Sequence, residues 1–194
     1  MTKSDELRIT PPDPDGQPEL YAELFRVARR LREMRCKVVG LLPAGPRVAV
    51  APVAVQLGFV LADASEGAVA LIDANTLMPG LSHLVPAEAR TQAKAGFVST
   101  WLTDFFVLLT PLTTKRTGLD LEMIEKRLRE ECEYYVHVLV DLTGFEHVGE
   151  HFGTFDFVNG MLVVGHPGAT SERELLRLAS EIPAACNLGV LLVG

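Results

Sequence analysis

The chain has 194 residues, with 18 Lys and Arg against 25 Asp and Glu, and a formal net charge of −7. At 48% hydrophobic and 22% charged it has the composition of one globular domain rather than a disordered chain, and a pI near 5.2 excludes the basic face that nucleic acid requires. Cys36, Cys132 and Cys186 are odd in number, widely spaced and without a CxxC pair. That pattern excludes a disulfide scaffold or zinc ribbon and points to a reducing compartment.

Residues 1–17 hold Pro11, Pro12, Pro14 and Gly16 among polar residues, which predicts an extended, mobile arm. The N-terminus has no apolar core of a signal peptide. From Pro18 a helix is predicted over 18–35, because Leu20, Leu24, Val27, Leu31 and Met34 recur at spacings of four and three. Glu23, Arg26 and Arg29 fall progressively off that stripe and form a charged band beside it.

Beyond this helix, short apolar runs alternate with helical segments. The expected strands are Val38–Leu42, Ala68–Ile72, Phe105–Leu109, Val136–Val140, Met161–Val164 and Leu188–Val193. The helices between them are Val53–Ala62, Leu119–Cys132 and Ser171–Ile182, the last capped by Ser171 with Glu174 or by Thr170. Apolar strands without in/out alternation indicate an α/β fold with a mostly parallel sheet and helices on both faces. With no repeat and no linker, 18–194 reads as a single domain. The longest charge-free run, Val48–Ala62, is 15 residues, contains Pro52 and is too short to span a bilayer. A cytoplasmic protein is expected.

In an open parallel sheet, ligands bind beyond the carboxyl ends of the strands. The first such loop runs from Pro43 to Pro52. A phosphate-binding loop needs several glycines, a Lys for the β/γ-phosphates and a Ser or Thr for magnesium. This loop has Gly45 alone, no Lys, Ser or Thr, and prolines that lack N–H donors. Two later strands end in acids, Asp73 and Asp141. Each is either a metal-side or water-positioning carboxylate or the cap of a turn.

These residues together resemble the bacterial tyrosine kinases of the capsule and exopolysaccharide type, relatives of the MinD/ParA ATPases. The likeness rests on a helix bearing Glu-x-x-Arg-x-x-Arg (Glu23, Arg26, Arg29) that leads to the first strand. It rests also on the strand Ala70-Leu71-Ile72-Asp73-Ala74-Asn75 followed by Pro79, the strand Val138–Asp141, and a final Leu188-Gly189-Val190 strand. It covers residues 17–194 and implies a three-layer P-loop NTPase-like fold. It also implies a subunit contact through Glu23, Arg26 and Arg29; the reading of the helix by itself is a solvated face with weak intrahelical pairs. In the alignment the resemblance suggests, Val50 stands at the place of the phosphate-loop Lys and Ala51 and Pro52 at the hydroxyl positions. Arg47 and Ala49 replace glycines, Asn75 replaces an acid, and the tyrosine cluster is missing after Gly194.

The leading expectation is therefore a non-catalytic pseudokinase or pseudo-ATPase that acts as an interaction or scaffold protein and takes no cofactor. The residues Gly45, Arg47, Val50, Ala51, Asp73 and Asp141 then form a degenerate nucleotide pocket. By resemblance its partners are further copies, homologous kinase or ATPase subunits, or the cytoplasmic part of a membrane protein in polysaccharide export or cell polarity, which would recruit it to the inner membrane. The alternative is an ATP-binding ATPase or kinase in which Arg47 substitutes for the Lys and Asp73 and Asp141 hold the metal. A third class uses His147, Glu150 and His151 as an H-x-x-E-H zinc site, against a polar loop as the plain reading. Phe97, Trp101, Phe105 and Phe106 are expected to pack as core, with a partner-docking patch as the other reading.

Overall fold

The computed structural model describes residues 11–75, 78–86, 96–112, 121–144 and 157–193. In chain order the elements are α1 (Pro18–Glu33), β1 (Val38–Pro43), α2 (Val50–Ala64), β2 (Val69–Asp73), β3 (Phe97–Thr103), β4 (Phe106–Pro111), α3 (Leu121–Glu131), β5 (His137–Asp141), β6 (Gly160–Gly165), α4 (Glu172–Glu181) and β7 (Asn187–Leu192). The strands form one seven-stranded sheet in the order β3-β4-β2-β5-β1-β6-β7. Every pair is parallel except β3 with β4.

The sheet separates two apolar layers. Leu24, Ala28 and Leu31 of α1 and most of α2 pack on one face. Ile124 and Leu128 of α3 and Leu178 of α4 pack on the other. Strands β1, β2, β4, β5 and β6 are buried along their whole length, which is why their interiors are apolar, with the buried polar residues Asp73, Thr110, His137 and Asp141 at or near strand ends.

Several expectations change. Helix α2 begins at Val50, three residues before the predicted Val53, because Pro52 sits in its first turn, where a missing N–H costs no helix bond. Met34 is not part of the buried stripe; it is the C-cap of α1 and 47% exposed. Strand β3 was not anticipated, since Ser99, Thr100 and Thr103 dilute its apolar pattern. It is the antiparallel edge strand, half covered. For that reason Trp101 lies 55% exposed instead of in the core, and Phe105, in the turn between β3 and β4, is 58% exposed, whereas Phe97 and Phe106 are fully buried. Ser171, not Thr170, caps α4: its Oγ accepts from the Glu174 N–H, and Glu174 accepts back from Ser171. Thr170 Oγ1 instead accepts from the N–H of His166.

Residues 11–17 end in a turn that leads into α1, with the Gln17 N–H donating to the Asp13 carbonyl, and Pro12 is buried. Among the described residues, no helix is long and apolar enough to cross a membrane.

Candidate functional site

Strand β1 lies inside the sheet between β5 and β6, so its carboxyl end delivers the following loop between the ends of those two strands. The Ala44 N–H donates to the Val164 carbonyl at 2.8 Å, and the Val48 N–H closes a turn on the Gly45 carbonyl at 3.1 Å. Within this turn Arg47 is exposed, while Gly45 and Val48 are buried. Val50, which the resemblance sets at the place of a phosphate-loop cation, is only 1% exposed and belongs to the α2 core layer. Ala51 is half-buried and Pro52 exposed. The N-cap of α2 is Ala49, which makes no side-chain cap, and the first turn carries no acid.

Gly45 does not serve the loop as a phosphate-loop glycine would. Its backbone is outside the left-handed region, and a Cβ there would make ordinary contact with Glu174 Oε1 at 3.5 Å. That contact places a carboxylate against the loop. The Ser171 N–H and hydroxyl both donate to Glu174 and hold it below its ordinary carboxylate range. Glu174 is therefore anionic at neutral pH, and a phosphate settling on Gly45 would meet like charge. Nothing in the local sequence signalled this, because Glu174 reaches the loop from another element.

Asp73 and Asp141 do come together. They are register partners at the ends of the neighbouring parallel strands β2 and β5, and each is 1% exposed. Both oxygens of Asp73 are taken by backbone donors: Oδ1 accepts from Asn75 N–H at 3.0 Å and Oδ2 from Leu81 N–H at 2.9 Å. Asp73 thus holds the segment after β2 against the sheet. Burial pushes its carboxyl up to about 7, against the opposing pull of the Leu81, Asn75 and Gly80 amides and with a further rise from Asp141. Asp141 Oδ1 accepts from the Thr143 hydroxyl at 2.6 Å and the Thr143 N–H at 2.9 Å. Burial raises Asp141 too, and these Thr143 bonds oppose it.

Asn75, which stands at the place of an acid in the resemblance, accepts through its Oδ1 from the Met78 N–H at 2.9 Å. The role of Thr143 had a legible sign, since a Thr two residues after an Asp commonly closes such a local turn. The clasp of Leu81 on Asp73 had none.

The charged helix residues divide. Glu23 pairs with Arg26 at 2.9 Å, whereas Arg29 turns away and pairs with Glu33 at 2.8 Å. His147, Glu150 and His151 lie outside the described residues; among those described, no group of three or more His, Cys, Asp or Glu is placed to hold a metal.

No protein-family model matches the chain, and no curated protein matches its sequence. Solved structures share its fold. The kinase domain of VpsO superposes on 91% of this chain and 95% of its own length, with a TM-score of 0.70 and 15% identity. The kinase domain of Escherichia coli tyrosine kinase ETK matches 88% of this chain and 75% of its own, with a TM-score of 0.62 and 19% identity. A ParA family ATPase from Chlorobium tepidum TLS matches 80% and 73%, with a TM-score of 0.54 and 15% identity. The chain therefore has the P-loop NTPase-like fold of bacterial tyrosine kinase domains and ParA-type ATPases.

Proposed function

We propose that this chain is a non-catalytic relative in fold of the tyrosine kinases and ParA-type ATPases, and acts as an interaction or scaffold protein. The observation that carries the reading is the buried, apolar Val50 at the head of α2, where nucleotide chemistry calls for a cation. Catalysis of phosphoryl transfer is almost wholly positioning and charge stabilisation, so a loop without Lys or hydroxyl lacks most of what the reaction needs. The carboxylate of Glu174 beside Gly45 and the capture of both Asp73 oxygens by backbone amides support the same reading. What such a protein retains is surface. Its partners on this reading are further copies or homologous kinase or ATPase subunits, with the cytoplasmic part of a membrane protein as a recruitment point in polysaccharide export or cell polarity.

One arrangement favours the alternative of an unusual nucleotide site: the adjacent Asp73 and Asp141 carboxyls at the strand ends, with exposed Arg47 on the neighbouring loop. Calorimetric titration with ATP and with ADP, each with Mg²⁺, separates the two. No heat of binding is expected, and micromolar affinity would overturn the non-catalytic reading in favour of the alternative.

A further inference from the structure

Away from the strand ends that form the candidate site, the chain builds a second groove, of about 470 Å³. Four of its lining residues are Pro12 of the segment that enters α1, Tyr21 of α1, Phe59 of α2 and Phe105 of the turn between β3 and β4. Their positions are fixed by other contacts. Pro12 is buried, Phe59 stands edge-on to Phe106 at 5.1 Å between centroids, and Tyr21 stacks on Phe25 at 6.3 Å. The Thr103 hydroxyl accepts from the Phe105 N–H at 3.2 Å, which holds the turn that presents Phe105 to the groove.

Two exposed carboxylates complete the lining, Asp63 and Asp104. Among the described residues, no Lys, Arg or His lines the groove, and neither Asp63 nor Asp104 forms an ion pair. Asp63 lies in the last turn of α2, which carries no base. That turn is the negative end of the helix, so a carboxylate there works against helix stability, and a cation brought from outside relieves it.

We propose that this groove docks an extended, arginine-bearing peptide segment of a partner protein. The volume lies in the range of sites that enclose a small ligand or a few side chains. Aromatic and proline walls suit the flat, weakly hydrated guanidinium, which stacks on an exposed ring such as Phe105 while its fork donates two parallel hydrogen bonds to a carboxylate. A lysine ammonium offers a point charge without the stacking plane. Walls that are already ordered reduce the entropy lost on binding, and the net charge of −7 draws a basic segment in at long range. The inference gives a partner chemistry to the interaction role proposed above and rests on that reading, but it uses no residue of the phosphate loop.

Fluorescence anisotropy on the full chain, with a labelled octapeptide of alternating Arg and Val as probe, tests it. Binding is expected at high micromolar concentration, more weakly as salt is raised. Asp63→Asn combined with Asp104→Asn should weaken it about 10-fold, and Phe105→Ala about threefold. The Lys counterpart of the peptide should bind about threefold more weakly. Glu130→Gln, an exposed position on α3 across the sheet, should change nothing. All these substitutions are at exposed positions, and unchanged urea midpoints show the variants to be folded. Absence of binding by the wild type overturns the proposal, as does binding that survives the double substitution or falls equally with Glu130→Gln. Displacement of the peptide by an equal concentration of spermidine would assign the groove to a small polycation and overturn it too. ATP binding in the titration above would sink the loop reading without touching this groove.

Discussion

Replacing Asp73 by Asn should flatten the dependence of stability on pH. Asp73 is raised from an ordinary 3.8 to about 7 by burial beside Asp141. The folded protein therefore keeps a proton that the unfolded chain has released, and stability falls as pH rises wherever the native state binds the more protons. The contribution is fully present below 3.8 and is lost as pH climbs through about 7. At about 1.4 kcal/mol per pH unit the whole effect is on the order of 4 kcal/mol, most of which falls between about pH 5 and pH 8. Asp141, raised by burial, tilts the profile the same way. His137, whose ring bonds to the Cys36 carbonyl and whose burial holds it below 6.5, tilts it oppositely: its contribution is present above that value and lost as pH falls. Both are shared by wild type and variant. The asparagine also turns an N–H₂ toward backbone donors, which lowers stability at every pH and leaves the slope unaffected. Urea unfolding of both proteins at about pH 5 and pH 8 reads the difference. Wild type should lose about 3 kcal/mol more than Asp73→Asn over that interval. A wild-type profile that is flat relative to the variant refutes the protonated, buried carboxyl.

Gly58→Ala should destabilise the fold even though Ala favours a helix over Gly by about 1 kcal/mol. A Cβ at Gly58 would stand 2.1 Å from Phe106 Cζ, and that fully buried ring is held edge-on to Phe59 at 5.1 Å between centroids. A net loss of about 2 kcal/mol is expected in denaturant unfolding, and a variant as stable as wild type would show that Phe106 has room to move. Ser171→Ala should cost about 1 kcal/mol through the lost cap of α4. It should also raise the titration of Glu174 part of the way toward its ordinary 4.5, read by NMR, because the Ser171 backbone N–H that lowers it most remains while the hydroxyl that also lowers it is lost. An unchanged Glu174 titration would contradict the capping geometry.

Much of the fold was legible because its strands are buried on both faces. A strand such as Val69–Asp73 has to be apolar up to its terminal Asp, and a continuous apolar run between helical segments has few other readings. Strand β3 escaped for the complementary reason: an edge strand has one side in water, and its threonines and serine look like a loop. The aromatic cluster misled in the same way, since composition does not distinguish Phe106, which meets α2, from its neighbour Phe105, which meets solvent. At the site, that the loop from Pro43 to Pro52 holds no Lys, Ser or Thr could be read directly. That Val50 joins the core, and that Glu174 stands against Gly45, could not, because both depend on elements far apart in the chain.

By itself, then, the sequence determined the alternation of strand and helix, the chemistry missing from the first loop and the placing of two acids at strand ends, all of which follow from local order and side-chain type. Only the tertiary structure decided the burial that raises Asp73, the exposure of Trp101 and Phe105, and the place of Glu174 beside Gly45. Those depend on which groups lie beside which, and on how far water is excluded between them.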